Sequence, residues 1–380
     1  MSERKVLAGL DIGGSKVLAV AVEIAEPDGR AEVIESVRLS TGLGPEGVVD
    51  TAARALEALA ERLSDRGAGR SASDPLPARP GRVVPPPRDL FSGVGIGIPG
   101  LVDAARGHIT HAVNLGVGPG GLPLAERLGR RLDLPVVVEN DVNAAALGAA
   151  AHLRLGRVDM AYLSIGTGIA AGVVLDGELR RGPHNAAGEI GHIPVDSAGP
   201  VCSCGQRGCL ESVASGSAIA ERWSTRPGSD LPSGQDLFAA AADGDPSAKA
   251  LREEVADSLA AGVRMLALTV DVDLVVLGGG VAEIGEPLRH AVAKALERQA
   301  TGSAFLRGLD LAARLTVVPR DQPVAAIGAA LLALNPPLLP IDTAGPANPP
   351  APTGPADPPS AKAAVKATTA APPGAEWTVA

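Results

Sequence analysis

The chain has 380 residues, enough for two domains with substantial cores. Hydrophobic residues make up 46% and aromatics only 2%, so those cores must be aliphatic. A formal net charge of -9 argues against a nucleic-acid surface, and no stretch approaches the roughly 18 apolar residues of a membrane helix, which leaves small neutral or metal-chelated ligands as the better fit.

The first apolar run, Val6 to Leu10, is too short for a signal-peptide core and ends in Asp11, so a cytoplasmic protein is expected. With Val17 to Val22 it reads as a hairpin around Asp11-Ile12-Gly13-Gly14-Ser15-Lys16. That hexapeptide serves an ordinary tight turn. It equally serves a phosphate site, with glycine N–H groups and the Ser15 hydroxyl on the phosphate and Asp11 on a magnesium-bound water. Thr51 to Leu63 has helical spacing, and residues 66–88 read as a flexible surface insertion rich in Pro, Ser, Gly and Arg. Phe91 to Val102 reads as a buried strand running into a Gly/Pro turn that approaches a ligand. Asn114 ends the next strand-like run, either as a turn former or as a hydrogen-bonding residue.

Leu122 to Leu132 reads as a helix that leads into Val136-Val137-Val138-Glu139, a buried strand entered from Pro135. The helix formers Ala144 to Leu147 follow. Asn140, Asp141 and Asn143 therefore sit at a strand-to-helix junction, where α/β folds place ligands. Capping of the helix by Asp141 or Asn143 is the structural alternative. Asp159 to Ile165 with Gly166-Thr167-Gly168 and the strand after it repeats the opening pattern, which points to a duplicated architecture whose two turns grip one polyphosphate.

The three cysteines, Cys202, Cys204 and Cys209, lie close together, which suits metal ligation in a reducing compartment better than disulfides. With His192 they make a tetrahedral Cys₃His zinc site. Ser247 to Leu268 is a long amphipathic helix feeding the strand Leu274 to Leu277, after which Gly278-Gly279-Gly280 is expected to open a helix against a nucleotide. Arg314 to Pro319 reads as a last strand and Val324 to Leu334 as a last helix. From Asn335 the Pro, Ala and Thr content predicts a disordered tail.

Four motifs, D-I-G-G-S-K, E-N-D-V-N-A-A-A-L-G, G-T-G-I and G-E-I-G-H…C-S-C-G-Q-R-G-C-L-E, stand in this order. In them the chain resembles the ROK family of sugar kinases and regulators, within the actin/hexokinase/Hsp70 ATPase superfamily, over about residues 5–335. The resemblance implies an α/β, two-lobed actin-like ATPase (ribonuclease H-like) fold, duplicated, with central mixed sheets and an interlobe cleft. Its lobes would be 1–118, completed by a helix at about 322–335, and 119–321 with the zinc loop. The insertion at about 66–89 and the tail 336–380 stand outside them.

The same resemblance implies Asp141 as the base that takes the proton from a sugar 6-hydroxyl. It implies Asn114, Asn140, Glu189, His192 and Glu211 as sugar-binding residues, and His192, Cys202, Cys204 and Cys209 as ligands of a structural zinc. Asp11, Gly13, Gly14, Ser15, Lys16 and the turn Gly166, Thr167, Gly168 correspond to phosphate and magnesium elements, and Gly278, Gly279 and Gly280 to the adenosine element. Three departures stand out: Ala170-Ala171 in place of a more glycine-rich run, Ala149 in place of an acidic residue, and a loop Leu115 to Gly121 without tryptophan.

The expected activity is ATP- and magnesium-dependent phosphorylation of a hexose, of the glucokinase type. N-acetylglucosamine, N-acetylmannosamine or fructose are alternative acceptors. A catalytically idle sugar-binding regulator is the other class, without a DNA-binding domain because the first turn begins at Asp11. A homodimer or higher homo-oligomer is the assembly the resemblance implies, with no nucleic-acid or membrane partner.

Overall fold

The computed structural model describes residues 5–25, 30–67, 85–319 and 321–334. Most of the arginine-bearing insertion, 68–84, and the tail from 335 onward lie outside the described residues. Among the described residues there are twelve strands: β1 (Val6–Ile12), β2 (Lys16–Ala25), β3 (Arg30–Ser40), β4 (Val94–Ile98), β5 (Leu101–Asp103), β6 (His108–Thr110), β7 (Val136–Asn140), β8 (Met160–Ile165), β9 (Ile169–Leu175), β10 (Glu178–Leu179), β11 (Leu274–Gly278) and β12 (Leu315–Val317).

Ten of them form two five-stranded sheets of one plan. The first has the order β3-β2-β1-β4-β7 and the second β10-β9-β8-β11-β12. In each, two antiparallel pairings are followed by two parallel ones. The duplication expected from the paired Gly-rich turns is thus present as sheet topology. The outer strand β3 alternates charged and apolar residues, as an edge with one face in water does, whereas β4 is buried throughout.

The expected helix at Thr51 to Leu63 is the middle of a longer one, Gly44–Gly67, which packs Leu56 and Leu59 on the first sheet. Leu124–Leu132 buries Leu124, Leu128 and Leu132 in the same core. In the second lobe Pro246–Val270 and Glu286–Ala300 cover the other sheet with aliphatic side chains. The helix Val324–Leu332 returns to the first sheet. It lies so close that a methyl group on Gly9 or Gly95 would run into the carbonyls of Ala326 and Ala329.

The first sheet reaches beyond residue 118, since β7 pairs with β4 over Val94↔Val136 to Ile98↔Asn140. A strand so apolar needs a neighbour, and the first sheet supplies it. Asn114 does not end a strand. β6 stops at Thr110, His111 takes a left-handed backbone (φ 56°), and Asn114 lies in a 3₁₀ turn, Val113–Leu115. Gly278 to Gly280 does not open the long helix. Only a 3₁₀ turn, Gly280–Ile284, follows, because Gly279 (φ 82°) and Gly285 (φ 78°) break the helical path on both sides, and the helix begins at Glu286.

Candidate active site

At the junction after β7, Asn140 caps the helix Asp141–Leu153. Its Oδ1 accepts from the N–H groups of Val142 (2.9 Å) and Asn143 (3.3 Å). The cap is therefore Asn140, and Asp141 and Asn143 lie within the helix. Asp141, whose Oδ1 also accepts from Val142 N–H at 2.9 Å, borders a cleft of about 430 Å³ whose walls include Asp11, Gly13, Lys16, Tyr162, Ser164 and Gly278 to Gly280. Burial pushes the Asp141 carboxyl up, and the negative charge of Glu189 pushes the same way against the Val142 N–H. Asp11 is pushed up to about 6, chiefly by burial and then by Asp141, with Lys16 opposing. Asp11, raised in part by the Asp141 charge in the same cleft, is a place where a divalent cation would relieve the buried negative charge.

The first Gly-rich turn is closed by Gly13 N–H donating to the Lys16 carbonyl (2.9 Å). Thr41 braces it, its hydroxyl donating to Gly13 O at 2.7 Å. Of the expected residues, Gly14 lies against Asn114, and Ser15 is exposed and accepts from Thr41 N–H through its carbonyl. Neither Asn114 nor Gly14 lines the main cleft. The second turn, Gly166 to Gly168, is held by a Gly166 N–H to Gly168 O bond of 2.9 Å and leaves Thr167 exposed. Glu211 rests on it. Its Oε2 accepts from Ile169 N–H at 2.9 Å, and a methyl group on Gly168 would overlap its carboxylate.

The metal-ligating set is brought together. One donor atom from each of His192, Cys202, Cys204 and Cys209 lies within 4.8 Å of all the others. Cys202 Sγ to His192 Nδ1 and Cys204 Sγ to Cys209 Sγ are both 3.7 Å. A tetrahedron of ~2.3 Å zinc–sulfur bonds has edges of about that length. Hydrogen bonds from the Gln206 backbone and side chain hold the Cys204 thiol down to about 6, while burial and the neighbouring thiols push Cys209 up to about 12. Such opposed thiols fit a divalent cation that favours every thiolate at once.

His192 ends the 3₁₀ turn Ile190–His192 that follows Glu189, and Cys209 immediately precedes the helix Leu210–Ala214 that carries Glu211. The loop that would close on a metal therefore sets both carboxylates. His192 faces both ways, with Nδ1 toward Cys202 and Nε2 4.0 Å from Glu189 Oε2.

Asn140 and Glu189 line a second, small pocket together with Glu139, Asn143, Arg181 and Asn185. Ala170 and Ala171 line it too. They belong to β9 rather than to the phosphate turn, so their methyl groups bear on this pocket. Glu139, Arg181 and Tyr162 are site residues that sequence reasoning passed over. The signal was present for Glu139, since a carboxylate that ends the apolar run Val136-Val137-Val138 within a buried strand must find a partner. Nothing local marked Arg181 or Tyr162.

The ROK family profile matches residues 86–335. A glucokinase of Halalkalibacterium halodurans is 33% identical over 325 residues, which cover 80% of this chain and 90% of that one. The crystal structure of a ROK family glucokinase from Streptomyces griseus, in complex with glucose and AMPPNP, superposes with a TM-score of 0.66 at 29% identity, covering 87% of this chain and 99% of the other. The ROK hexokinase of Thermus thermophilus gives 0.65 at 31%, with 87% and 98% covered. The two sheets of one plan are thus the two lobes of the actin-like ATPase fold. From the sheets, the cleft and these similarities, the chain belongs to the ROK family.

Proposed function

We infer that the protein is an ATP-dependent hexose 6-phosphotransferase with glucose as its acceptor. One observation carries the reading. Asp141 borders the cleft that holds the Gly13 turn and the Gly278 to Gly280 turn, and its carboxyl also feels the charge of Glu189 on the sugar side. A base between a nucleotide cleft and a hydroxyl-binding carboxylate is the layout that phosphoryl transfer to an alcohol needs. The similarity to glucokinases over most of both chains selects glucose among hexoses.

In this reading the Asp141 carboxylate accepts the 6-hydroxyl proton. Glu189, Glu211, His192 and Asn140 accept from or donate to the other hydroxyls, and hydrogen bonds to the charged groups are worth about 1.5–3 kcal/mol each. Asn114, which sits beside Gly14, is assigned to the sugar side of the first turn. Gly13, Gly14, Ser15, Lys16 and the turn Gly166 to Gly168 cradle the phosphates, and Gly278 to Gly280 face the adenosine. Asp11 would hold magnesium, which when bound would neutralise charge on the transferring group. Zinc fits the Cys₃His set and would fix the segment between Glu189 and the helix that carries Glu211.

The test is ADP release by the purified chain with ATP, magnesium and glucose, with mannose, fructose, N-acetylglucosamine and N-acetylmannosamine in parallel. Glucose should give the highest kcat/KM. Release of no ADP with any of the five would defeat the kinase reading, and preference for an N-acetylated sugar would defeat glucose as acceptor.

A further inference from the structure

Glu139 is 2% exposed, yet its carboxylate is ionically paired with a residue from the other lobe. Its Oε2 accepts from Arg181 Nε at 2.6 Å. Its Oε1 accepts from Asn140 N–H (2.9 Å) and from Asn143 Nδ2 (3.0 Å). One buried carboxylate thus grips both the residue before Asp141 and the residue two after it.

The other end of the pair belongs to the sugar side. Arg181 follows β10, and its carbonyl accepts from Ala187 N–H at 3.1 Å, which closes the loop 181–187. Gly188, next in the chain, is pinned to β9 by Ala171 N–H donating to its carbonyl at 2.7 Å, and Glu189 follows. The Arg181 side chain is 37% exposed and borders the small pocket shared with Asn140 and Glu189.

We propose that the Glu139–Arg181 pair is a strap between the lobes that sets the distance from the Asp141 base to the Glu189 sugar-binding loop. Both are positioning residues. Neither needs to touch the reacting atoms. The strap rests on the kinase reading above. Its chemistry is sound because a carboxylate removed from water is retained only where a cation reaches it in good geometry and its remaining oxygen sites are filled, as they are for Glu139. Loss of register by about 1 Å at a reacting centre costs on the order of 10²-fold in rate.

Four proteins test it: wild type, Glu139→Gln, Arg181→Met and the double variant. Arg181→Met leaves the buried Glu139 carboxylate without its counter-charge, held only by Asn140 N–H and Asn143 Nδ2, and should melt well below wild type. The double variant removes both charges and should melt close to wild type, while its kcat/KM for glucose stays about 10²-fold down with an unchanged KM for ATP. Recovery of glucose turnover along with thermal stability in the double variant would overturn the strap, since the pair would then be only structural. Wild-type turnover in Arg181→Met would overturn it too.

Glucose affinity by calorimetry in the same four proteins separates the two claims. A wild type that binds glucose without consuming ATP defeats the kinase reading, and the strap is then read from affinity. Weakened glucose binding in the double variant supports the strap, and wild-type affinity there defeats it.

Discussion

At the scale of single residues, the site is governed by carboxylates that share a cleft. Asp141 must be ionised to accept a proton, and burial together with Glu189 favours its protonated form. A raised value means that base function is present above it and is lost as the pH falls through it. The kcat/KM for glucose, which reports the free enzyme, should therefore fall on an acid limb lying above the ordinary aspartate value of about 4. A limb at or below that value would remove Asp141 from the role. Asp141→Asn should lower turnover by about 10²–10⁴-fold and leave glucose binding largely in place, which calorimetry checks. Asp141 and its neighbours were legible because a polar tripeptide after a valine run can hardly be anything but a junction. Which of the three capped the helix was not legible. Asn140, Asp141 and Asn143 are all competent caps, and only the β7 backbone decided for Asn140.

Among the elements, the stretch from Trp223 to the helix Ser233–Ala242 shows how a loop is fixed without regular structure. Asp236 is fully buried, and burial alone would raise its carboxyl. Donors outweigh that, namely Trp223 Nε1 at 2.9 Å, Arg226 N–H at 3.0 Å and Arg226 Nε at 3.1 Å, so it titrates well below the usual range. A depressed value stabilises the fold above the unfolded-state value of about 4, and that contribution is lost as the pH falls below it. Asp236→Ala should cost about 1–3 kcal/mol in urea unfolding at neutral pH, the scale for leaving buried donors such as Trp223 Nε1 unsatisfied, and the difference from wild type should shrink in acid. A difference that stays constant down to the onset of acid unfolding would contradict the assignment. Strand and helix existence was mostly legible in periodicity, whereas the ends that failed, at His111 and at Gly279, turn on left-handed backbone that hydropathy does not encode.

Over the whole molecule, the cysteine cluster and the carboxylates of Glu189 and Glu211 are joined along one stretch of chain. Glu189 and Glu211 flank His192 and Cys209 in the chain, and Glu211 in turn holds Ile169 at the second Gly-rich turn. Removal of bound metal with a chelator should raise the KM for glucose at least tenfold, restored by added zinc, with a smaller effect on the KM for ATP. Equal loss for both substrates would mean that the metal supports the lobe as a whole. The sequence by itself determined the family motifs, the aliphatic cores, the four metal-donor residues and the repeated strand–turn–strand plan, because each is written in residues close together in the chain. Tertiary structure alone decided that β7 closes the first sheet and that Glu139 meets Arg181, forty-two residues away. A buried charge requires a partner, but only the folded path of the backbone determines which one comes within reach.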